Sequence, residues 1–222
     1  MRKILIYIIA ATIVICSCNK KHDNAFSESA DERLNDTLAA YQKALTGSQY
    51  GWKGLIYPAG LKGGVVGFYF KFDGNNRVEM FSDFDATSAV TPMTASYRLK
   101  AVQQPALLFD TYSYVHVLAD PDGSVNGGTD GNGLISDFEF AINGISGDTV
   151  KLTGRFNGSK AILVKATQQE AQNYYDKKYA NRVFDNISKY ITYFKRLVIG
   201  GTQYEIQAVS YTHLTLPTKR IV

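Results

Sequence analysis

The chain has 222 residues, with 24 Lys and Arg against 20 Asp and Glu and a formal charge of +4 at neutral pH. Arg2, Lys3, Lys219 and Arg220 lie at its extreme ends and account for that excess, so residues 18–208 are formally neutral. A neutral body with only short basic runs at 19–21 and 195–198 gives no support for the clustered positive surface that a nucleic-acid partner needs, and none is expected; two cysteines one residue apart and three scattered histidines exclude a disulfide framework, a CxxC redox pair and a zinc site of the usual spacing.

The N-terminus reads as an export signal. Arg2 and Lys3 precede an uncharged apolar run from Ile4 to Ile15, which has signal-peptide length and is short for a bilayer span. The run ends in Ile15-Cys16-Ser17-Cys18, which resembles the bacterial lipobox, cleaved before its cysteine. The resemblance implies a signal peptide at 1–17, discarded with Cys16, and a lipid-bearing Cys18 as the first residue of the mature protein. Each buried methylene contributes about 0.8 kcal/mol, so one acyl chain holds marginally and two or more hold stably. The alternative is an ordinary secretory signal cut nearby. Residues 18–28 are polar and without apolar period, and read as a flexible tether.

A helix is predicted next. Ser29 and Glu32 fit a capping box, Ala30, Leu34, Leu38, Tyr41 and Leu45 recur at helical spacing, and Gly47 suits its stop. From Gly51 to about Lys165 the period becomes two. "GFYFKF" sets Phe68, Phe70 and Phe72 against Tyr69 and Lys71, "YRLKA" sets Tyr97, Leu99 and Ala101 against Arg98 and Lys100, and "DFEFAI" sets Phe138, Phe140 and Ile142 against Asp137 and Glu139. Turn signals fall at 73–76, 146–148 and 157–158. The runs lie near 52–57, 65–72, 77–82, 95–102, 106–111, 112–118, 134–142 with 149–155, and 160–165; the fifth and sixth could be one bent strand. The expected fold is mainly β within an α+β class: a curled antiparallel meander of about eight strands, sandwich- or barrel-like, between an N-terminal and a C-terminal helix.

Thr167 and Glu170 form a second capping-box pattern, followed by a stripe of Ala171, Tyr175, Tyr179, Val183, Ile187, Ile191 and Phe194. "RLVIGGTQYEIQ" then begins a strand or hairpin, so 168–208 reads as a helix and the start of a truncated second unit. Residues 209–222 break the style of what precedes them, and 209–218 resemble an in-frame translation of a transposase-type sequencing adapter; this segment reads as a non-native tail.

From Glu32 to about Thr167 the wording itself is informative. The helix ending before Gly51-Trp52, "FKFDGNNRVEM", "SYRL", "LLFDTYSYVHVLADP", a glycine-rich loop, "DFEF" and "LTGR" together resemble a Bacteroidota lipoprotein family, domain of unknown function 4302. The resemblance implies a β domain at 29–167, an outer-membrane location and a link to SusC/SusD-type uptake proteins. It implies no agreed activity, no cofactor and no catalytic residues. "NKKHDN" after Cys18 has one acid and two lysines, a departure from the acidic surface-export signal of some such lipoproteins, so the side of the membrane stays open.

Three groups of side chains are candidates for chemistry. In strand alternation Tyr112, Tyr114 and His116 share one face, a possible surface for stacking sugars or binding peptides; the alternative is a half-buried strand packed under a loop. Asp120, Asp122, Asp130 and Asn132 evoke a calcium loop but lack the EF-hand pattern, and a flexible solvent loop explains them. Asp137 and Glu139 could pair as catalytic carboxylates, or form the solvated face of an amphipathic strand. No phosphate loop, Gly-x-Ser-x-Gly or His-Glu-x-x-His motif is present, and no metal or cofactor is expected. The sequence favours a membrane-anchored binding or accessory lipoprotein for glycan or peptide acquisition. The alternative is a hydrolase whose active site lies partly in a missing C-terminal half.

Overall fold

The structure, a computed structural model, describes residues 29–101, 104–178 and 196–205. Cys18, the signal and tether segments, the predicted stripe beyond Tyr175 and the 209–222 tail lie outside the described residues. The chain divides into two compact units, 1–36 and 37–222. In the first, the described residues open helix α1 (Ala30–Thr46), and the expected capping box is present: the Ser29 amide donates to Glu32 Oε2 at 2.8 Å and the Glu32 amide to Ser29 Oγ at 3.2 Å.

In the second unit the last turns of α1 bury Leu45, with Tyr41 packed against the core. The helix stops at Gly47, whose amide donates to the Lys43 carbonyl at 2.9 Å. A Cβ there would lie 2.6 Å from that oxygen, so only glycine fits. The sheet follows as β1 (Trp52–Tyr57), β2 (Val66–Phe72), β3 (Arg77–Ser82), β4 (Met93–Ala101), β5 (Pro105–Phe109), β6 (Glu139–Ser146), β7 (Thr149–Gly154) and β8 (Lys160–Lys165). Each strand pairs antiparallel with the next, and β8 returns to β1 from Trp52↔Lys165 to Tyr57↔Lys160, closing an eight-stranded up-and-down barrel. The meander is as expected, and closure makes it a barrel rather than a sandwich.

Two expected strand segments are corrected. Residues 112–118 contain the short helix α2 (Tyr114–Val117), and the segment expected from 134 becomes a strand only at Glu139. The extra strand of the closed sheet comes from the 139–154 region, which splits into β6 and β7 around Gly147 in a left-handed turn (φ 57°).

The interior is filled by side chains. Phe68, Phe70 and Phe72 line β2, with Phe68 and Phe70 stacked at 5.3 Å, Phe70 tilted on Phe109 at 5.5 Å, and Phe72 edge-on to Tyr97 at 4.9 Å. Val78, Met80, Leu107, Phe140, Ile142, Val150, Leu152 and Leu163 complete the layers. Gly54 on β1 makes room: a Cβ would meet the Phe70 ring at 2.5 Å. An eight-stranded barrel has space for side chains or for one small ligand, and here the aromatic rings take it. The outward positions carry Lys53, Lys71, Glu79, Arg98, Lys100 and Lys151, so the polarity is the reverse of a barrel that faces lipid.

Both ends are closed. Where the chain enters, the Trp52 indole donates to the Leu45 carbonyl at 2.8 Å, and the Tyr97 hydroxyl accepts from Gln42 and donates to the Asp73 carbonyl, each at 2.8 Å. At the other end the 110–138 crossover folds over, with Val115, Leu118 and Leu134 in the core and Leu134 and Ile135 carbonyls accepting from Gly60 and Ala59. Outside the wall, helix α4 (Gln168–Tyr175) has the full Thr167–Glu170 capping box and lays Tyr174 on Tyr69 and Tyr175 on Phe81. Helix α3 (Gly123–Asn126) lies within the crossover, and β9 (Arg196–Ile199) and β10 (Thr202–Glu205) form the expected hairpin, turning at Gly200-Gly201 with both φ positive.

Truncating the central ring tests the packing. Phe70→Ala is expected to lower the unfolding free energy by about 3–5 kcal/mol in urea titrations, while the exposed Phe156→Ser stays within about 0.5 kcal/mol. A Phe70→Ala loss below about 1 kcal/mol would contradict a filled barrel.

Candidate functional site

The crossover between β5 and β6, residues 110–138, contains five aspartates and no lysine or arginine. Its first turn is set by the Ser113 carbonyl, which accepts from the His116 amide at 2.8 Å and the Val117 amide at 3.2 Å and so starts α2. The turn buries Val115 and Leu118, which a strand would have placed on opposite faces because they are three apart.

This winding regroups the three expected site residues. Tyr112 lies outside α2, before the extended Ser113 that precedes the helix, and its ring stacks on that of His116, with centroids 5.7 Å apart and planes 27° apart. Tyr114 is directed elsewhere, its hydroxyl donating to the Thr91 carbonyl at 2.9 Å. Phe138 takes its place and stacks on His116 at 4.6 Å and 21°. The result is a three-ring ladder, Tyr112–His116–Phe138, in which Tyr112 is 58 % exposed. Sequence reasoning missed Phe138 because alternation with Phe140 assigned it to the core; the sequence signal was Asp137 beside it, a poor neighbour for a strand interior.

The surroundings fix the ladder. The Tyr112 hydroxyl donates to Asp120 Oδ2 at 2.5 Å, and its pKa is pushed up to about 12 by partial burial of the hydroxyl end, by that bond and by the charges of Asp120 and Asp122. Burial lowers the His116 pKa, opposed by a hydrogen bond to the Phe109 backbone and by nearby Asp110. Ser113 Oγ lies 3.1 Å from His116 Nδ1, but Ser113 is fully buried at the start of α2, so no substrate can reach the hydroxyl.

The acidic loop is not the flexible segment expected. Buried Asn126 donates to the Val117 and Asp120 carbonyls at 2.9 and 2.8 Å and accepts from the Gly128 amide, pinning the loop from within. Asp122 caps α3 through the Ser124 amide, and Asp130 accepts from the Gly123 amide, both at 2.9 Å. These aspartates serve their own backbone, and among the described residues no group of three or more His, Cys, Asp or Glu is arranged to hold a metal.

Asp137 and Glu139 are likewise corrected: both are buried rather than solvated. Asp137 accepts from the Phe156, Asn157 and Ser159 amides and from Ser159 Oγ, which uses the acceptor capacity of the carboxylate and holds the β7–β8 turn. Gly154 clears the space, since a Cβ there would lie 1.9 Å from Asp137 Oδ2. Glu139 lies between Lys100 at 3.0 Å and Arg155 at 3.2 Å. An open groove of about 350 Å³ lies at the far end, between Lys43 and Ala44 of α1 and Ile145 and Gly147 at the β6–β7 turn.

The lowered His116 pKa carries a pH signature. The unfolded imidazole, near 6.5, takes up its proton before the folded one, so stability is full above that pH and falls as the pH drops below it. Thermal unfolding across that range is expected to show less acid sensitivity in His116→Gln than in the wild type. Parallel curves would contradict a half-buried His116 held neutral by its surroundings.

The family described as "Domain of unknown function (DUF4302)" matches residues 22–218. No curated protein and no solved structure matches the chain. The family match spans most of the sequence, including the whole barrel and both flanking helices, and the chain belongs to this domain family of unknown function.

Proposed function

We propose that the chain is a lipid-anchored envelope protein that binds a ligand at one end of a solid barrel. The carrying observation is the Tyr112–His116–Phe138 ladder: three rings held in register outside a filled core, with the outermost ring 58 % exposed. Exposed aromatic faces beside hydrogen-bonding carboxylates suit capture of a glycan or a peptide. Attachment rests on Cys18 and the apolar run before it, which together resemble a lipobox. In this reading the protein is an accessory component of nutrient acquisition at a Bacteroidota outer membrane, alongside SusC/SusD-type uptake proteins. The hydrolase alternative draws no support from the nearest serine–histidine pair, because Ser113 is inaccessible.

Attachment and binding are separable by experiment. Wild type is expected to incorporate labelled palmitate and to fractionate with membranes, and Cys18→Ser to lose both; a Cys18→Ser chain that stays with membranes, beside a wild type that takes up no label, would reject the anchor. In a screen of glycans and peptides, Tyr112→Ala is expected to weaken the best ligand without lowering thermal stability by more than a few degrees. Turnover of a glycan or peptide, abolished by changing one acid or histidine, would instead favour the hydrolase.

A further inference from the structure

We propose that the crossover end of the barrel recognises a cationic peptide segment, with an Arg or Lys side chain seated on the solvent-facing side of the Tyr112 ring beside Asp120 and Asp122. The inference rests on the binding reading above and narrows its ligand.

The ring is prepared for this contact. His116 covers one face of Tyr112, the bond from its hydroxyl to Asp120 fixes its orientation, and the residue remains 58 % exposed. A cation over the open face of a tyrosine is attracted by the ring quadrupole, and a guanidinium adds planar stacking and paired donors for a carboxylate.

The two chain segments at this end are acidic in sequence. Residues 83–92 and 110–138 hold seven aspartates and no lysine or arginine. These two segments meet where the Tyr114 hydroxyl donates to the Thr91 carbonyl. Asp110 is neutralised by the Arg98 guanidinium at 2.5 and 2.6 Å, and Asp137 is buried in its own turn. Asp120 and Asp122 are different: they accept from the Tyr112 hydroxyl and from backbone amides. Among the described residues, neither has a lysine or arginine within ion-pair distance. Two carboxylates without a countercharge beside an open aromatic face favour a cation and repel acidic sugars. A neutral glycan could stack on the ring but would gain nothing from the surrounding charge.

The test uses the full chain purified in detergent and a fluorescent Arg-Gly-Ser repeat peptide, its citrulline counterpart and a neutral glucan oligosaccharide. The arginine peptide is expected to bind, to weaken as salt is raised toward physiological strength, and to bind more than about tenfold better than the citrulline peptide. Tyr112→Ala and Asp122→Asn are each expected to weaken it roughly threefold to tenfold, with Tyr112→Phe retaining most of the affinity. Lys151→Gln, on the outer wall of β7, serves as the unchanged control. Equal binding of arginine and citrulline peptides, or no effect of the Tyr112→Ala and Asp122→Asn changes, overturns the proposal. Binding of the glucan at Tyr112 without binding of the cationic peptide also overturns it, yet leaves the aromatic-surface reading standing. Failure of every ligand to respond to Tyr112→Ala removes both.

Discussion

The ladder between β1 and β8 is the constraint on which the rest of the structure depends. Six paired positions, Trp52↔Lys165 through Tyr57↔Lys160, join the first strand of the sheet to the last. Without that seam the same strands would form an open sheet with two unpaired edges and one apolar face exposed. With it, the alternating faces become an inside and an outside, and Phe68, Phe70, Phe72, Phe109 and Phe140 pack inside with one another and with the aliphatic side chains of the same cluster. Gly54 lies in the seam strand and leaves the volume that the Phe70 ring occupies, so closure and filling are settled at the same place.

A filled barrel leaves no room inside for a ligand. Helix α1 closes one end through Leu45, Trp52 and the Gln42–Tyr97 bond, and the groove beside it is formed by the same contact surfaces. The opposite end is covered by a crossover long enough to do two things. Its inward residues, Val115, Leu118 and Leu134, complete the core, and its outward residues display a ladder of rings among aspartates. The rigidity of the display follows from burial beneath it: Asn126 and Asp137 are polar, fully buried and hydrogen-bonded to the backbone of the loops they hold. Polar groups in such positions are costly when unsatisfied and rigidifying when satisfied.

Much of this was legible in the residues. Both capping boxes, the alternation of β2 and β4, the turns after Asp73 and Ser146, and the Gly200-Gly201 hairpin follow from local chemistry, and the structure has all of them. Closure was not legible, because period two says which residues share a face and nothing about which strands meet. The 112–118 segment was misread because Tyr-Ser-Tyr-Val-His-Val satisfies period two as well as any strand in the chain. The deciding term was tertiary: Val115 and Leu118 both reach the core, and a helical turn allows that at a spacing of three. Asp137 was misread as solvated for a related reason. Its burial depends on Gly154 and on three amides of the β7–β8 turn, more than fifteen residues away in sequence, which no local pattern can announce.

The most direct measurement of the central claim is residue-resolved amide hydrogen exchange on the full chain. If β1 and β8 close the barrel, the hydrogen-bonded amides of 52–57 and 160–165 will exchange through the same global opening as those of β2 and β7, with matching protection. Seam amides that exchange much faster than those of β2 and β7 would show an open sheet, and would contradict both the filled interior and the placement of the ring ladder at its end.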